Sequence, residues 1–236
     1  MSEHMALENL TVLDLTRVLA GPFCTMMLAD MGANVIKIEV PKGGDDTRGY
    51  PPFRAKNLNG ERESVYFANI NRNKKGITLN LKAPEGKEIF KELVKKADIV
   101  VENYRPGVMD KLGLGYDVLK EINPRIIYAA VSGFGCYGPY HLRPGYDILA
   151  QAMGGMMSIT GSKGGEPTRA GSALGDILGG LHVTIGILAA VNARTITGKG
   201  QRVDVSLMDS MIAATENTAR KYIETGNIPA PMGNRY

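Results

Sequence analysis

The chain of 236 residues has no tryptophan, two cysteines and three histidines. Aromatic residues make up 6% of it. Cys24 and Cys136 lie too far apart in sequence for a redox or zinc motif, which excludes a disulfide framework and predicts a reducing, cytoplasmic setting. With so few histidines, and none beside a Cys or acidic ligand pattern, no metal site is expected. Charge of one sign is never run together. The net charge of +4 is spread over scattered Lys and Arg, which argues against a nucleic-acid surface and suits a small anionic ligand. The start lacks a basic segment leading into an apolar run, so no signal peptide is expected. The longest apolar run, residues 177–191, is interrupted by His182 and glycines and reads as too short for a membrane span.

What is present is ordinary for a globular α/β protein: 44% hydrophobic and 22% charged residues. The first ten residues, MSEHMALENL, read as a tag remnant or alternative start. From there strand and helix patterns alternate. Residues 11–15 (TVLDL) form a strand, 22–31 a helix opened by Pro22 and closed by Gly32, and 34–39 (NVIKIE) a second strand. Residues 40–63 make a long, polar, turn-rich loop of the kind that carries function. Residues 76–82, 98–102, 126–131 and 201–207 read as further strands. Residues 84–97, 109–112, 118–122, the run after Asp176, and 208–225 read as helices, with a hairpin-like turn around Lys199. The expectation is an open, mostly parallel Rossmann-like sheet with helices on both faces. In such a sheet ligands bind beyond the carboxyl ends of the strands. The loops there, 16–22, 40 onward, 103–107 and 132–139, carry Arg17, Lys42, Arg48 and Arg105, a set suited to a phosphate-bearing ligand.

Glu39 ends the second strand, where a dinucleotide fold places its ribose-binding acid. The first turn reads TRVLAGP and lacks the Gly-x-Gly-x-x-Gly fingerprint, so nicotinamide dinucleotide binding is not expected. Asp176 stands out more. It is the one charged residue between Arg169 and Arg194, in the sequence LGDILGG, at the mouth of a helix that is apolar nearly all round and therefore reads as buried. A carboxylate there is either a cap for the first turn or a reagent. Spacing leaves both open and favours the cap. His182 does not share its helical face and reads as a core residue.

Several stretches together resemble one family, the class III (CaiB/BaiF) CoA-transferases. They are LTRVLAGP at 15–22, GANVIKIE at 32–39, NKKGITLNLK at 73–82, ENYRPG at 102–107, Gly175-Asp176, and TGKGQRVDV at 197–205. The resemblance covers the chain from about Leu7 and keeps the family's order. It implies that Asp176 is the nucleophile. The acid would attack the thioester of an acyl-CoA to give a mixed anhydride, then an aspartyl-CoA thioester, from which CoA passes to an acceptor carboxylate. It also implies that Leu19 and Ala20 approach the pantetheine and adenine, and that Leu79, Asn80 and Lys82 lie near the nucleotide. Asn103, Tyr104 and Arg105 would turn by the pyrophosphate, with Lys111 and Arg143 directing charge toward phosphates. Arg17 and Tyr146 complete the set of coenzyme A contacts. Val40 and Leu19 stand where a formyl/oxalate subgroup carries arginine and glutamine, which argues against that specificity. The related α-methylacyl-CoA racemases place a histidine where Tyr146 stands, and tyrosine suits two-base proton transfer poorly.

The implied protein takes acyl-CoA and carboxylic acids as substrates, needs no resident cofactor, and forms an interlocked homodimer without nucleic-acid or membrane partners. Residues 5–225 are the CoA-binding large domain, and 226–236 (ending MGNRY) begin a linker toward a second domain. On that reading the chain is an amino-terminal portion. The alternatives are a racemase-like epimerase, or a CoA-binding fragment inactive by itself.

Overall fold

The structure is a computed structural model and describes residues 4–54, 60 and 62–234. The chain runs β1 (Thr11–Asp14), α1 (Ala20–Asp30), β2 (Asn34–Glu39), a short 3-10 turn (Asp46–Gly49), β3 (Phe53–Arg54), β4 (Glu63–Ser64), α2 (Val65–Ile70), β5 (Lys75–Thr78) and α3 (Pro84–Lys96). It continues with β6 (Ile99–Glu102), α4 (Val108–Lys111), α5 (Tyr116–Ile122), β7 (Ile127–Ser132), α6 (Asp147–Met153), α7 (Met156–Ile159), α8 (Leu174–Thr197), β8 (Arg202–Ser206), α9 (Leu207–Ala214) and α10 (Thr218–Thr225).

Six strands form one sheet in the order β5-β2-β1-β6-β7-β8, every pairing parallel. This is the doubly wound order expected for a Rossmann-like sheet, with its topological switch point between β1 and β6. Alternation along the strands divides the core in two. Val12, Val35, Ile99, Val101, Ile127 and Ala129 face α1 and α8. Leu13, Val100, Tyr128 and Ala130 face α3 and α5 with Phe90 and Leu119. The helix α1 lies against α8 at Gly180, where an added Cβ would sit 2.7 Å from the Ala20 carbonyl oxygen. Glycine is what lets the two helices come that close.

Several readings change. The apolar run belongs to a 24-residue helix, α8, long enough to cross a bilayer on length and mean hydropathy (1.8) alone. In the fold, however, Val183, Ile187 and Ala190 pack into the core. Nor is α8 buried all round, because Leu181, Ile185 (62% exposed) and Ile196 form an apolar stripe facing outward. The helix read over 208–225 is two helices, interrupted at Glu216, which takes a left-handed φ of 58°. The turn at Lys199 is no hairpin, since it links α8 to β8, a strand parallel to β7. The strand read over 76–82 stops at Thr78. The short elements β3, β4, α2, α6 and α7 carry too little periodicity to be read from sequence. Of the 40–63 loop, residues 55–59 and 61 lie outside the described residues, as do 1–3 of the opening segment and 235–236 of the end.

Candidate active site

The loops after β1 and β6 diverge at the switch point and open a cavity of about 450 Å³. Its walls bring together Arg17, Leu19, Ala20, Asn103, Tyr104, Arg105, Arg143, Tyr146 and Asp176. Those nine positions come from four separate stretches of chain. Leu79, Asn80 and Lys82 line a second cavity of about 410 Å³ beside the first, with Tyr104 and Val108 lining both. Lys111 lines neither. It is the exposed last residue of α4. Lys42 lines neither cavity as well.

The loop after β1 is held by side chains from three directions. Asp14 accepts from the Thr16 amide and hydroxyl and from the Thr25 hydroxyl at 2.7 Å, and pairs with buried Lys74 at 3.0 Å. Lys37 pairs with Asp45 at 2.9 Å and donates to the Thr16 carbonyl at 2.8 Å. Asn103 clamps Arg17 on both sides, accepting from its amide at 2.9 Å and donating to its carbonyl at 2.7 Å. These ties hold Val18 at φ 68°, a conformation costly for a β-branched residue, with its amide on Asp45 Oδ1. The result is that α1 begins at the pocket wall without a side-chain cap and without an acid in its first turn, a setting that favours anions.

Glu39 lines the second cavity, and Arg48 lines neither, but the two are bound to each other. Arg48 donates to both Glu39 oxygens, at 2.7 and 2.6 Å, and its guanidinium stacks over the Phe67 ring. The acid that could have touched a ribose instead ties down the 3-10 turn through the Asp45 amide. Arg17 reaches Asp46 at 3.3 Å with both groups exposed, an interaction weak enough to be exchanged. Arg143 stacks on Tyr140.

Asp176 sits in the first turn of α8 but does not cap it. The cap is Asp147, from α6. Its Oδ1 accepts from the Gly175 amide at 2.7 Å and the Asp176 amide at 3.3 Å. Buried Gln151 holds Asp147 in place through Oδ2 at 2.7 Å and accepts from the Ala170 amide at 2.8 Å. The Asp176 side chain makes no hydrogen bond among the described residues and α8 has no side-chain cap of its own. Burial, and then the neighbouring Asp147 charge, push the Asp176 carboxyl up to about 7. Sequence reasoning missed Asp147 because it stands 29 residues away from the amide that it caps. Ser132 and Gly133, from the 132–139 loop expected among the ligand loops, line the cavity at the end of β7, where a side chain on Gly133 would overlap the Gly145 backbone.

With this sheet and cavity in place, one family covers nearly the whole chain: the model of CoA-transferase family III matches residues 7–236. The chain belongs to CoA-transferase family III. It is 48% identical over 230 residues to an acetyl-CoA:oxalate CoA-transferase of Acetobacter aceti, covering 97% of this chain and 58% of that one. It is 46% identical over 237 residues to a succinyl-CoA:mesaconate CoA-transferase of Haloarcula marismortui, covering 98% and 59%. Among solved structures, a CaiB/BaiF family protein from Brucella suis superposes with a TM-score of 0.94 at 44% identity, over 99% of this chain and 61% of that one. The chain thus spans under two thirds of the length of these family III relatives. His182, the histidine nearest in sequence to Asp176, does not line the cavity.

Proposed function

We propose that the protein moves coenzyme A from an acyl-CoA to a carboxylic acid, with Asp176 as the group that carries the acyl and then the thioester. The observation that carries this reading is the division of labour at the start of α8. Asp147 takes the cap, and Asp176 is left in the pocket with a free carboxylate. Above its raised pKa it is an anion held where no hydrogen bond reduces its nucleophilicity. It attacks the thioester carbonyl. The CoA thiolate leaves, and the donor acyl group becomes a mixed anhydride on Asp176. The thiolate then attacks the aspartyl carbonyl, releasing the donor acid and forming an aspartyl-CoA thioester. The acceptor carboxylate attacks that thioester and the same two steps run in reverse. Every intermediate is an activated acyl group, so the pocket must exclude water.

The uncapped start of α1 and the guanidinium groups of Arg17, Arg105 and Arg143 support a ligand rich in phosphate. Coenzyme A enters as substrate, with no resident cofactor. The relatives named above act on oxalate and mesaconate, both dicarboxylic acids, and we assign the acceptor to that class, with a guanidinium of the pocket available to the second carboxylate. The outward stripe of Leu181, Ile185 and Ile196 supports burial against further protein, and the assembly we propose is an interlocked homodimer. Two free thiols support the cytoplasm.

The test is mass spectrometry of the full-length protein after incubation with succinyl-CoA or acetyl-CoA and quenching with hydroxylamine. The expected result is a hydroxamate on Asp176. A protein that turns over yet shows no modification at Asp176 overturns the nucleophile assignment.

A further inference from the structure

A second acid lies directly beneath the turn that walls this pocket, without lining the cavity itself, and takes no part in the chemistry above. Glu102 is the last residue of β6 and is buried (6% exposed). Its Oε2 accepts from the Tyr104 amide at 2.7 Å and its Oε1 from the Tyr128 hydroxyl at 3.1 Å. No cation pairs with it among the described residues. Arg202 attracts it and Asp110 repels it from a distance, while the charges of Arg17 and Asp14 act with its own on the Tyr104 hydroxyl. The turn that it grips supplies Asn103, Tyr104 and Arg105 to the cavity, and Asn103 in turn clamps Arg17. One carboxylate therefore underlies two of the walls.

We infer that Glu102 is the positioning residue of the pocket: its carboxylate fixes the 103–107 turn and, through Asn103, the 17–20 loop, in the geometry that the ligand meets. The ligand meant is the coenzyme A thioester, and only that identity rests on the function proposed above.

The grip depends on charge. An ionised carboxylate accepts strongly from both donors. A neutral acid accepts more weakly and has a proton of its own to place. Burial raises the Glu102 carboxyl to about 7, with the bonds from Tyr104 and Tyr128 pulling the other way. The turn is thus firm above neutrality and slackens below it, and affinity for the thioester falls as pH falls.

The experiment uses the full-length protein in two arms. In the first, the amide of Tyr104 is followed by NMR of ¹⁵N-tyrosine-labelled protein from about pH 5.5 to about pH 8.5, the resonance being assigned by its loss in Tyr104→Phe. The expected result is a titration with its midpoint near the Glu102 value, absent in Glu102→Gln. In Tyr128→Phe, which removes one donor to the ionised form, the midpoint moves up by about one pH unit. This second variant serves where Glu102→Gln fails to fold. In the second arm, KM is measured for a 3′-dephospho-CoA thioester, which lacks the phosphomonoester that itself titrates near pH 6. KM rises about tenfold on acidification through the same midpoint, and Glu102→Gln flattens the profile at the high-KM end. A Tyr104 amide that stays flat in the wild-type protein overturns the inference, as does a KM profile unchanged in Glu102→Gln or a Tyr128→Phe midpoint that does not move. An amide that titrates as stated, in a protein that binds no CoA thioester at any pH, upholds the grip on the turn and overturns the CoA reading instead.

Discussion

The loop after β1 and the start of α8, both beside the pocket, treat buried acids in opposite ways. Under the loop after β1, burial alone would raise Asp14 and Asp45, but Lys74 and Lys37 beside Asp14, and Lys37 with the Thr47 amide and hydroxyl beside Asp45, hold both carboxyls below the ordinary range. At the start of α8 nothing answers burial. Asp176 has a second carboxylate for a neighbour, and its pKa rises to about 7. The first pair of acids is spent on holding backbone, including strained Val18. Asp176 is left uncapping, with Asp147 on the amides of its turn, and on the function proposed above its oxygens are kept for the ligand. Residues of the same type near one cavity thus stand in opposite electrostatic settings.

The largest expected effect removes the reactive member. Asp176→Ala should lower turnover by about 10⁴-fold or more, while calorimetric CoA affinity stays within about tenfold, because a carboxylate near a phosphate-bearing ligand contributes little binding. Loss of CoA binding to the same degree as turnover would erase the distinction between the two regions. Next comes the holding side. Lys37→Met leaves Asp45 buried without its partner and should cost about 3–5 kcal/mol in urea denaturation, with Asp45→Asn in the same chain recovering part of the loss.

The two regions also predict opposite responses to pH. The depressed pKa values of Asp14 and Asp45 contribute stability that is present above the unfolded value of 3.8 and is lost as pH falls through the folded values. The raised value of Asp176 does the reverse, subtracting stability as pH climbs from 3.8 toward about 7. Asp176→Asn should therefore stabilise the fold at about pH 8 by on the order of 2 kcal/mol and leave it unchanged at about pH 4, as read by thermal unfolding at the two values. The smallest effect tests the neighbour. Asp147→Asn keeps an acceptor for the Gly175 amide and removes the charge, so the midpoint of the pH–rate profile should fall by about one unit. A midpoint that does not move would mean that burial alone sets the Asp176 pKa.

Much of this was legible from the sequence. Strand alternation and the Pro22 and Gly32 boundaries gave β1, α1 and β2. Their β–α–β order led to the doubly wound sheet, and that in turn put the ligand loops at the carboxyl ends of the strands. Asp176 stood out as the one charge in an apolar run. What stayed hidden depends on contacts across the chain. The NVIKIE strand shows a lysine among apolar neighbours, but its partner Asp45 sits in a turn with no pattern of its own. Asp147 opens a seven-residue helix too short to announce itself. The outward stripe of α8 was masked because an apolar residue reads the same whether it meets the core or the surface. Lys111 matches the motif's order, yet it lies outside both cavities, a placement that order along the chain does not reveal.

The clamp between Arg17 and Asn103 spans 86 residues, and Asp176 follows later still in the chain. No local segment contains the cavity. It comes into being only when β6 has docked beside β1 and α8 has closed over α1, the long-range and therefore slow part of folding. During synthesis the emerging chain passes through lengths at which strands and helices exist and the pocket does not. A ligand that binds there adds its stabilisation to the assembled sheet alone, and so acts as a check that the two halves of the sheet have met.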